Sequence, residues 1–376
     1  MSNQEAYAID MWLGYVMNNE DVGDFPALLS KEVPPLISWI VRGGCAVQCQ
    51  HCIFPVEGPK ARGGYIADDV LIRLLGQLPR GAHLVHEGRQ LLPQQIPVLA
   101  SIARAGYSVS LINNGQYATK TMLANCESEG LQIDALDVSI DGPEQIHNIQ
   151  RSSGNAWRIA VKGIEHAREV LKPTGKLTSL FTLTSLNYAH VRETGEKALQ
   201  MVDEWHVTTM SLRPGIEHLR AGEHELASAL EQMLALRTDK PVYLRSYSLQ
   251  DFVSLLALIG KDTAHKALAK ARVTYNAIVL DIGIPLYFYP KSLQVNETIV
   301  IDADGEWRLP FCIHYSLAEL QAGRDTRDND ISHFNVGTVS PSMDVSTMYP
   351  AAVSQWWASI GETCLLQERG ALAMYS

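Results

Sequence analysis

Three cysteines fall within one short run, Arg42-Gly43-Gly44-Cys45-Ala46-Val47-Gln48-Cys49-Gln50-His51-Cys52. Thiolates this close can share one iron–sulfur cluster, and Gly43 and Gly44 permit the tight backbone path that a wrapping loop needs. A closed structural zinc site wants four ligands. The run offers three cysteines and His51, with no second half-site downstream. Three thiolates on a four-iron cluster leave one iron open, a place for a substrate or cofactor to bind. Two plainer readings stand beside this one: a zinc knuckle of Cys45, Cys49 and Cys52 completed by a distant histidine, and three ordinary buried cysteines.

Composition narrows the compartment and the partners. The chain has 376 residues, 46% hydrophobic and 19% charged, and 31 basic against 41 acidic residues leave a net charge of −10. That apolar content can build a sizeable core. It excludes a disordered chain, and the negative charge excludes a basic nucleic-acid binder. The start MSNQEAYAIDMW has acidic residues and neither a basic n-region nor a long apolar h-region, so no signal peptide is expected. No uncharged apolar run approaches the ~20 residues of a membrane span. The expected setting is a reducing cytoplasm with no membrane or nucleic-acid partner, where clustered cysteines more often hold metal than each other.

The elements that must position the cysteines form a regular alternation. After a polar lead over 1–34, strand-like runs occur at Leu36–Val41, Ala82–Val85, Tyr107–Ile112, Ala135–Ile140, Leu177–Leu183 and Val207–Leu212. Helical stretches follow at Asp68–Leu78, Gln94–Arg104, Thr119–Glu129, Trp157–Val170, His190–Asp203 and Glu223–Leu236. Strands alternating with helices in this way imply right-handed crossovers and a parallel sheet. The expected fold is α/β, a partial (β/α)6 barrel over 35–239 with ligands at the C-terminal strand ends. From about residue 240 the rhythm changes. Helical stretches at Leu249–Ile259 and Thr263–Ala271 precede strand-like runs at Ala277–Leu280, Pro285–Tyr289 and Thr298–Ile301, so a smaller α+β C-terminal module is expected over 240–376. The cysteine run follows the first strand and so belongs at the barrel mouth.

CxxxCxxC directly after strand one of a β/α barrel resembles the signature of radical S-adenosylmethionine (radical SAM) enzymes. The resemblance implies that Cys45, Cys49 and Cys52 ligate one 4Fe–4S cluster and that S-adenosylmethionine binds its open iron. It also implies that an electron donor such as flavodoxin or ferredoxin drives cleavage to methionine and a 5′-deoxyadenosyl radical, which abstracts a substrate hydrogen. His51 stands where the family commonly has an aromatic residue, and His51 or Phe54 is expected by the adenine. Asp137-Val-Ser-Ile-Asp-Gly142-Pro143-Glu, followed by His147 and Arg151, resembles the fourth-strand motif of members with SPASM or twitch extensions. That likeness places Ser139 and Asp141 by the SAM ribose and lets Arg151 reach the carboxylate. Taken alone, Asp141-Gly142-Pro143 is a strand-ending turn with Asp as helix cap. Asn113-Asn114-Gly115 ends strand three similarly; Asn113 is a candidate cofactor contact, though on its own the tripeptide is an ordinary turn.

Strand two departs from the family pattern GGEPLL, reading His86-Glu87-Gly88-Arg89-Gln90-Leu91-Leu92. Glu87, with Gly88 beside it, is the expected contact to the SAM amino group, since a cation there would repel it. His86 and Arg89 are candidate contacts to an anionic substrate, or solvated loop residues. Arg213, beside Pro214-Gly215, is a further candidate of the same kind.

Near the C-terminus, Thr298 to Cys312 resembles the hairpin that opens a SPASM or twitch domain, and Asn335-Val336-Gly337-Thr338-Val339 resembles its next landmark. The position five after Gly337 is Ser342, and only Cys312 and Cys364 remain. Two thiolates cannot fill a four-ligand site, so the likeness is to an extension that lacks auxiliary clusters. Cys126 reads as a small buried hydrophobe. The expected activity is radical SAM chemistry on a small natural-product or metabolite substrate, because the polar lead is too short for the winged-helix recognition domain of many peptide-modifying relatives. A maturase of a ribosomally made peptide and a non-enzymatic iron–sulfur or zinc-binding protein are the alternatives.

Overall fold

Alternation of apolar and polar side chains makes the strands two-faced, and the faces have different fates. The computed structural model describes residues 36–40, 47–52, 82–87, 91, 93–116, 120–211, 215–273, 277–289, 298–301, 306–308 and 335–338. Strands β1 (Leu36–Ile40), β2 (His83–Glu87), β3 (Ser108–Asn113), β4 (Ile133–Ser139), β5 (Leu171–Leu183), β6 (Glu204–Thr209) and β7 (Val242–Ser246) lie side by side in chain order. Each neighbouring pair is parallel, which requires crossover connections. Helices α1 (Ile96–Arg104), α2 (Lys120–Ser128), α3 (Glu144–Gln150), α4 (Ala156–Ala167), α5 (Val191–Met201) and α6 (Glu223–Leu234) lie in those connections. The expected helix at 68–78 lies outside the described residues.

The mixed α/β fold and the open parallel sheet are those expected from the sequence, with three differences. Val242–Ser246 is a seventh parallel strand, hidden in the sequence because Tyr243 and Arg245 alternate with only two apolar residues. The short, polar helix α3 was not foreseen, since seven residues give no helical period. The C-terminal strands do not form a sheet of their own. Beside β7 lie β10 (Pro285–Phe288), parallel to it, then β9 (Ile278–Asp281) and β8 (Arg272–Val273), each antiparallel to its neighbour. At the other edge β11 (Thr298–Ile301) runs parallel to β1, with β12 (Glu306–Arg308) and β13 (Asn335–Thr338) antiparallel beyond it. One 13-stranded sheet results, continuous across residue 240.

One face of this sheet carries the helices and the core. Leu84, Val109, Leu111, Leu136, Val138, Phe181, Trp205, Val207 and Leu244 are buried there against Leu99 of α1, Ile164 of α4, Ala198 of α5 and Leu230 of α6. Trp205 meets Phe181 edge-on at 5.7 Å. Gly195 lets α5 lie directly over that indole; a Cβ there would sit 2.6 Å from it. The core continues under α7 (Leu249–Leu258) and α8 (Lys261–Leu268). The alternate positions Ser110, Asp137, Thr178, His206, Arg245 and Tyr287 face the other way, into the interior of the partial barrel. Among the described residues, no helix is long and apolar enough to cross a membrane.

Candidate functional site

The C-terminal end of β4 organises the site. Past Ser139 the chain turns through Gly142, at φ +155°, and re-enters as α3. Asp141 sits at that turn and is fully buried. Its Oδ1 accepts from the backbone N–H of Thr182 on β5 at 2.9 Å, and its Oδ2 accepts from Arg151 Nε at 2.6 Å. Its own N–H donates to His147 Nδ1 at 3.0 Å. Burial by itself would raise the Asp141 pKa; the Arg151 guanidinium, aided by His51 and His147, outweighs it and holds the carboxyl at about 2. Buried carboxylates persist only with such partners.

Arg151, the residue that ends α3, joins this carboxylate to the cysteine run. Its Nη1 donates to Cys49 Sγ at 3.6 Å. Against the cost of burial, Asp141, Cys49 and Cys52 together raise the Arg151 pKa above its ordinary value. The last carbonyls of a helix have no partner within it, and here the cysteine loop supplies them. Gln50 donates its N–H to Gln150 O and its side-chain amide to Ile149 O, both at 2.9 Å. Behind α3 a buried polar network locks the helix to the end of β5. Gln150 Nε2 donates to Thr182 O at 3.0 Å and Gln150 Oε1 accepts from Thr184 Oγ1 at 2.8 Å. Asn187 Nδ2 donates to the carbonyls of Asp141 and Thr182.

Cys49 and Cys52 share one turn, closed by Cys52 N–H donating to Cys49 O at 3.1 Å. Both thiols are half-buried and neither is in a disulfide. Among the described residues no group of three metal-ligating side chains assembles; the third thiol of the motif, Cys45, lies outside them. The chemistry of the donors fits a thiolate-held iron–sulfur cluster: two half-buried thiols in one turn, with the buried Arg151 cation beside Cys49.

The other expected site residues divide into those brought here, those moved elsewhere and those outside the described residues. Ser139 ends β4 on the interior face. Glu87 ends β2, paired in register with Ile40 of β1. Four others are placed as follows. Asp141 is enclosed, with Oδ1 accepting from Thr182 N–H and Oδ2 from Arg151. His51 is buried, its Nε2 4.0 Å from Asp141 Oδ2. Burial holds its pKa down at about 4, with Asp141 raising and Arg151 lowering it, so the ring is neutral. His86 is buried on the helix-packed face, where the Gln95 side chain hydrogen-bonds it. Asn113 also lies on the helix side of its strand, its Oδ1 accepting from Gly115 N–H at 2.6 Å. Phe54, Gly88, Arg89 and Arg213 lie outside the described residues, as do Cys312 and Cys364. Cys126 is buried, as expected, and burial pushes its thiol up to about 11.

The sequence reading missed the supporting residues Gln150, Thr182 and Asn187, for which no local pattern exists. It also missed an interior set on β4 to β7. Glu204 accepts from Lys176 and stands 3.3 Å from His206 Nε2. The hydrogen bond from His206, then that from Lys176, overcomes burial to hold Glu204 at about 2. Asp137 is pushed up by burial to about 6, with Arg245 and a Thr178 hydrogen bond opposing.

Solved structures share this architecture. AdoMet-bound anSMEcpe superimposes with a TM-score of 0.53 at 14% identity, covering 84% of this chain and 79% of that one. The same protein with AdoMet and the Kp18Cys peptide gives 0.54 at 13%, covering 86% and 83%. SuiB of Streptococcus suis gives 0.51 at 12%, covering 84% and 64%. No family model and no curated protein matches the sequence. The chain thus shares the fold of these AdoMet-bound and related proteins.

Proposed function

We propose that this chain is a radical SAM enzyme, with Cys45, Cys49 and Cys52 holding one 4Fe–4S cluster and S-adenosylmethionine bound at it. The observation that carries this reading is the Arg151–Cys49 contact, which ties the cysteine loop to the β4 end of a parallel sheet with the fold of AdoMet-bound proteins. When bound, the cluster supplies the electron that cleaves S-adenosylmethionine to a 5′-deoxyadenosyl radical, which takes hydrogen from the substrate. The chain's own residues set the stage. Arg151 places positive charge beside Cys49, and Asp141 fixes the guanidinium from behind. Gln50 pins the loop to the end of α3, and Ser139 faces the interior one strand-end away.

The substrate we propose is a small molecule held inside the partial barrel. The segment from 240 on is a twitch- or SPASM-like extension without its own cluster, and the setting a cytoplasm with flavodoxin or ferredoxin as reductant. A peptide substrate is the second reading, favoured by the peptide bound with AdoMet in one of the similar structures. Anaerobic reconstitution with iron and sulfide tests the first claim. About four irons per chain, and 5′-deoxyadenosine on adding dithionite and S-adenosylmethionine, are expected from the native chain and lost in Cys49→Ala. Zinc uptake without iron, or cleavage at a bond other than C5′–S, rejects the proposal.

A further inference from the structure

We propose that Arg245 is the anchor of an oxyanion subsite on the barrel interior, built to take a carboxylate or phosphate on a substrate with a flat apolar body. Leu244 and Ser246 are buried on the helix side of β7, so Tyr243, Arg245 and Tyr247 project from the opposite face. On the next strand Tyr287 is in register with Arg245, and the N–H of Tyr289 extends the ladder by donating to Ser246 O. The result is a wall of four tyrosines around one guanidinium. Tyr243 meets Tyr287 edge-on at 5.6 Å, and Tyr247 stacks on Tyr289 at 4.7 Å and 14°.

Arg245 is the exceptional member. It is only partly exposed. Among the described residues no carboxylate lies within ion-pair distance of it and none of their groups hydrogen-bonds it, whereas Arg151, Arg168 and Arg220 each hold an aspartate. A guanidinium taken from bulk water needs an anion to offset its desolvation, and its planar fork matches an oxyanion. The tyrosine rings supply a flat apolar surface beside it. Glu204 cannot serve as the partner, since Lys176 and His206 already engage it. Asp137 feels the Arg245 charge without touching it, and its carboxylate repels an incoming anion.

Only the word substrate rests on the proposed radical SAM activity; binding can be measured without cofactor. Isothermal titration of the cluster-free chain with benzoate, phenyl phosphate and the neutral isostere benzamide reads it directly. Benzoate or phenyl phosphate should bind and benzamide should not, the tighter of the two anions naming the headgroup. Arg245→Gln should weaken anion binding roughly ten- to a hundredfold, the worth of a charge-assisted hydrogen bond, with partial recovery in Arg245→Lys. Should Arg245→Gln not fold, Asp137→Asn decides: removing the nearby carboxylate should tighten anion binding and leave benzamide unaffected. Equal affinity for benzoate and benzamide, or anion affinity unmoved by both substitutions, overturns the subsite. Dithionite-driven cleavage of S-adenosylmethionine, measured separately, reports on the radical SAM reading alone.

Discussion

Arg151 does two jobs with one guanidinium: Nε neutralises the enclosed Asp141 and Nη1 touches Cys49. Both residues are buried, so solvent screening does little to soften the loss of either. Arg151→Met should therefore cost about 3–5 kcal/mol, because it strands a buried carboxylate. Adding Asp141→Asn should restore part of that loss, since the amide needs no counter-charge. Urea unfolding of the two singles and the double gives the coupling; a double mutant as unstable as the sum of the singles refutes the pairing. Arg151→Lys keeps the charge and loses the fork, so it should retain more stability than Met and still loosen the cysteine loop.

At the scale of elements, close backbone approach seats the connection after β3 on α4. Gly115 takes φ +85°, and a Cβ on Gly163 would lie 2.4 Å from Gly115 O. Helix propensity alone would favour alanine at 163 by up to ~1 kcal/mol. The obstacle is backbone, which cannot rotate away, so the clash wins and Gly163→Ala should destabilise by roughly 1–3 kcal/mol. Gly154→Ala, where the added methyl meets nothing within 4 Å, is the control and should lie within about 0.5 kcal/mol of the native chain. Thermal melts that rank the two equally would show that this approach is soft. Element types were legible where amphipathic periods were long, as in α4 and α6. They were not in α3, whose seven residues are held by tertiary hydrogen bonds from Gln50 and to Thr182, nor in β7, whose interior-facing positions are Tyr243 and Arg245.

For the whole molecule, the buried histidines set the acid response. His51, His86, His147 and His206 are each driven down from 6.5 to about 4, burial being the leading cause. The unfolded chain thus binds more protons than the folded one between those values, and stability falls as pH drops through that window. Asp137 acts in the opposite sense: raised from 3.8 to about 6, it binds its proton more readily in the folded state. His83, also lowered by burial, acts with the four histidines, and Asp251, also raised by burial, acts with Asp137; the histidines remain the larger set. Asp141, held at about 2, adds its own loss only below about pH 4. Denaturant midpoints of the cluster-free chain should decline from pH 7 to 5, and a midpoint that rises instead would show that these rings are not neutral in the fold.

Three contiguous features were decided by sequence alone: the spacing of Cys45, Cys49 and Cys52, the alternation of strands and helices, and the motif from Asp137 to Arg151. Each is a short-range pattern, and short-range patterns report local geometry and ligand chemistry. What each motif residue touches was left to the tertiary structure. Parallel strand order brings Thr182 of β5 and Arg151 to Asp141, which encloses its carboxylate in an ion pair. Strand pleat turns His86 and Asn113 toward the helices and Arg245 toward the interior. Pairing across a sheet joins residues tens of positions apart, and a one-residue change of register reverses the face of every side chain. That choice rests on packing between elements, which no local run of residues contains.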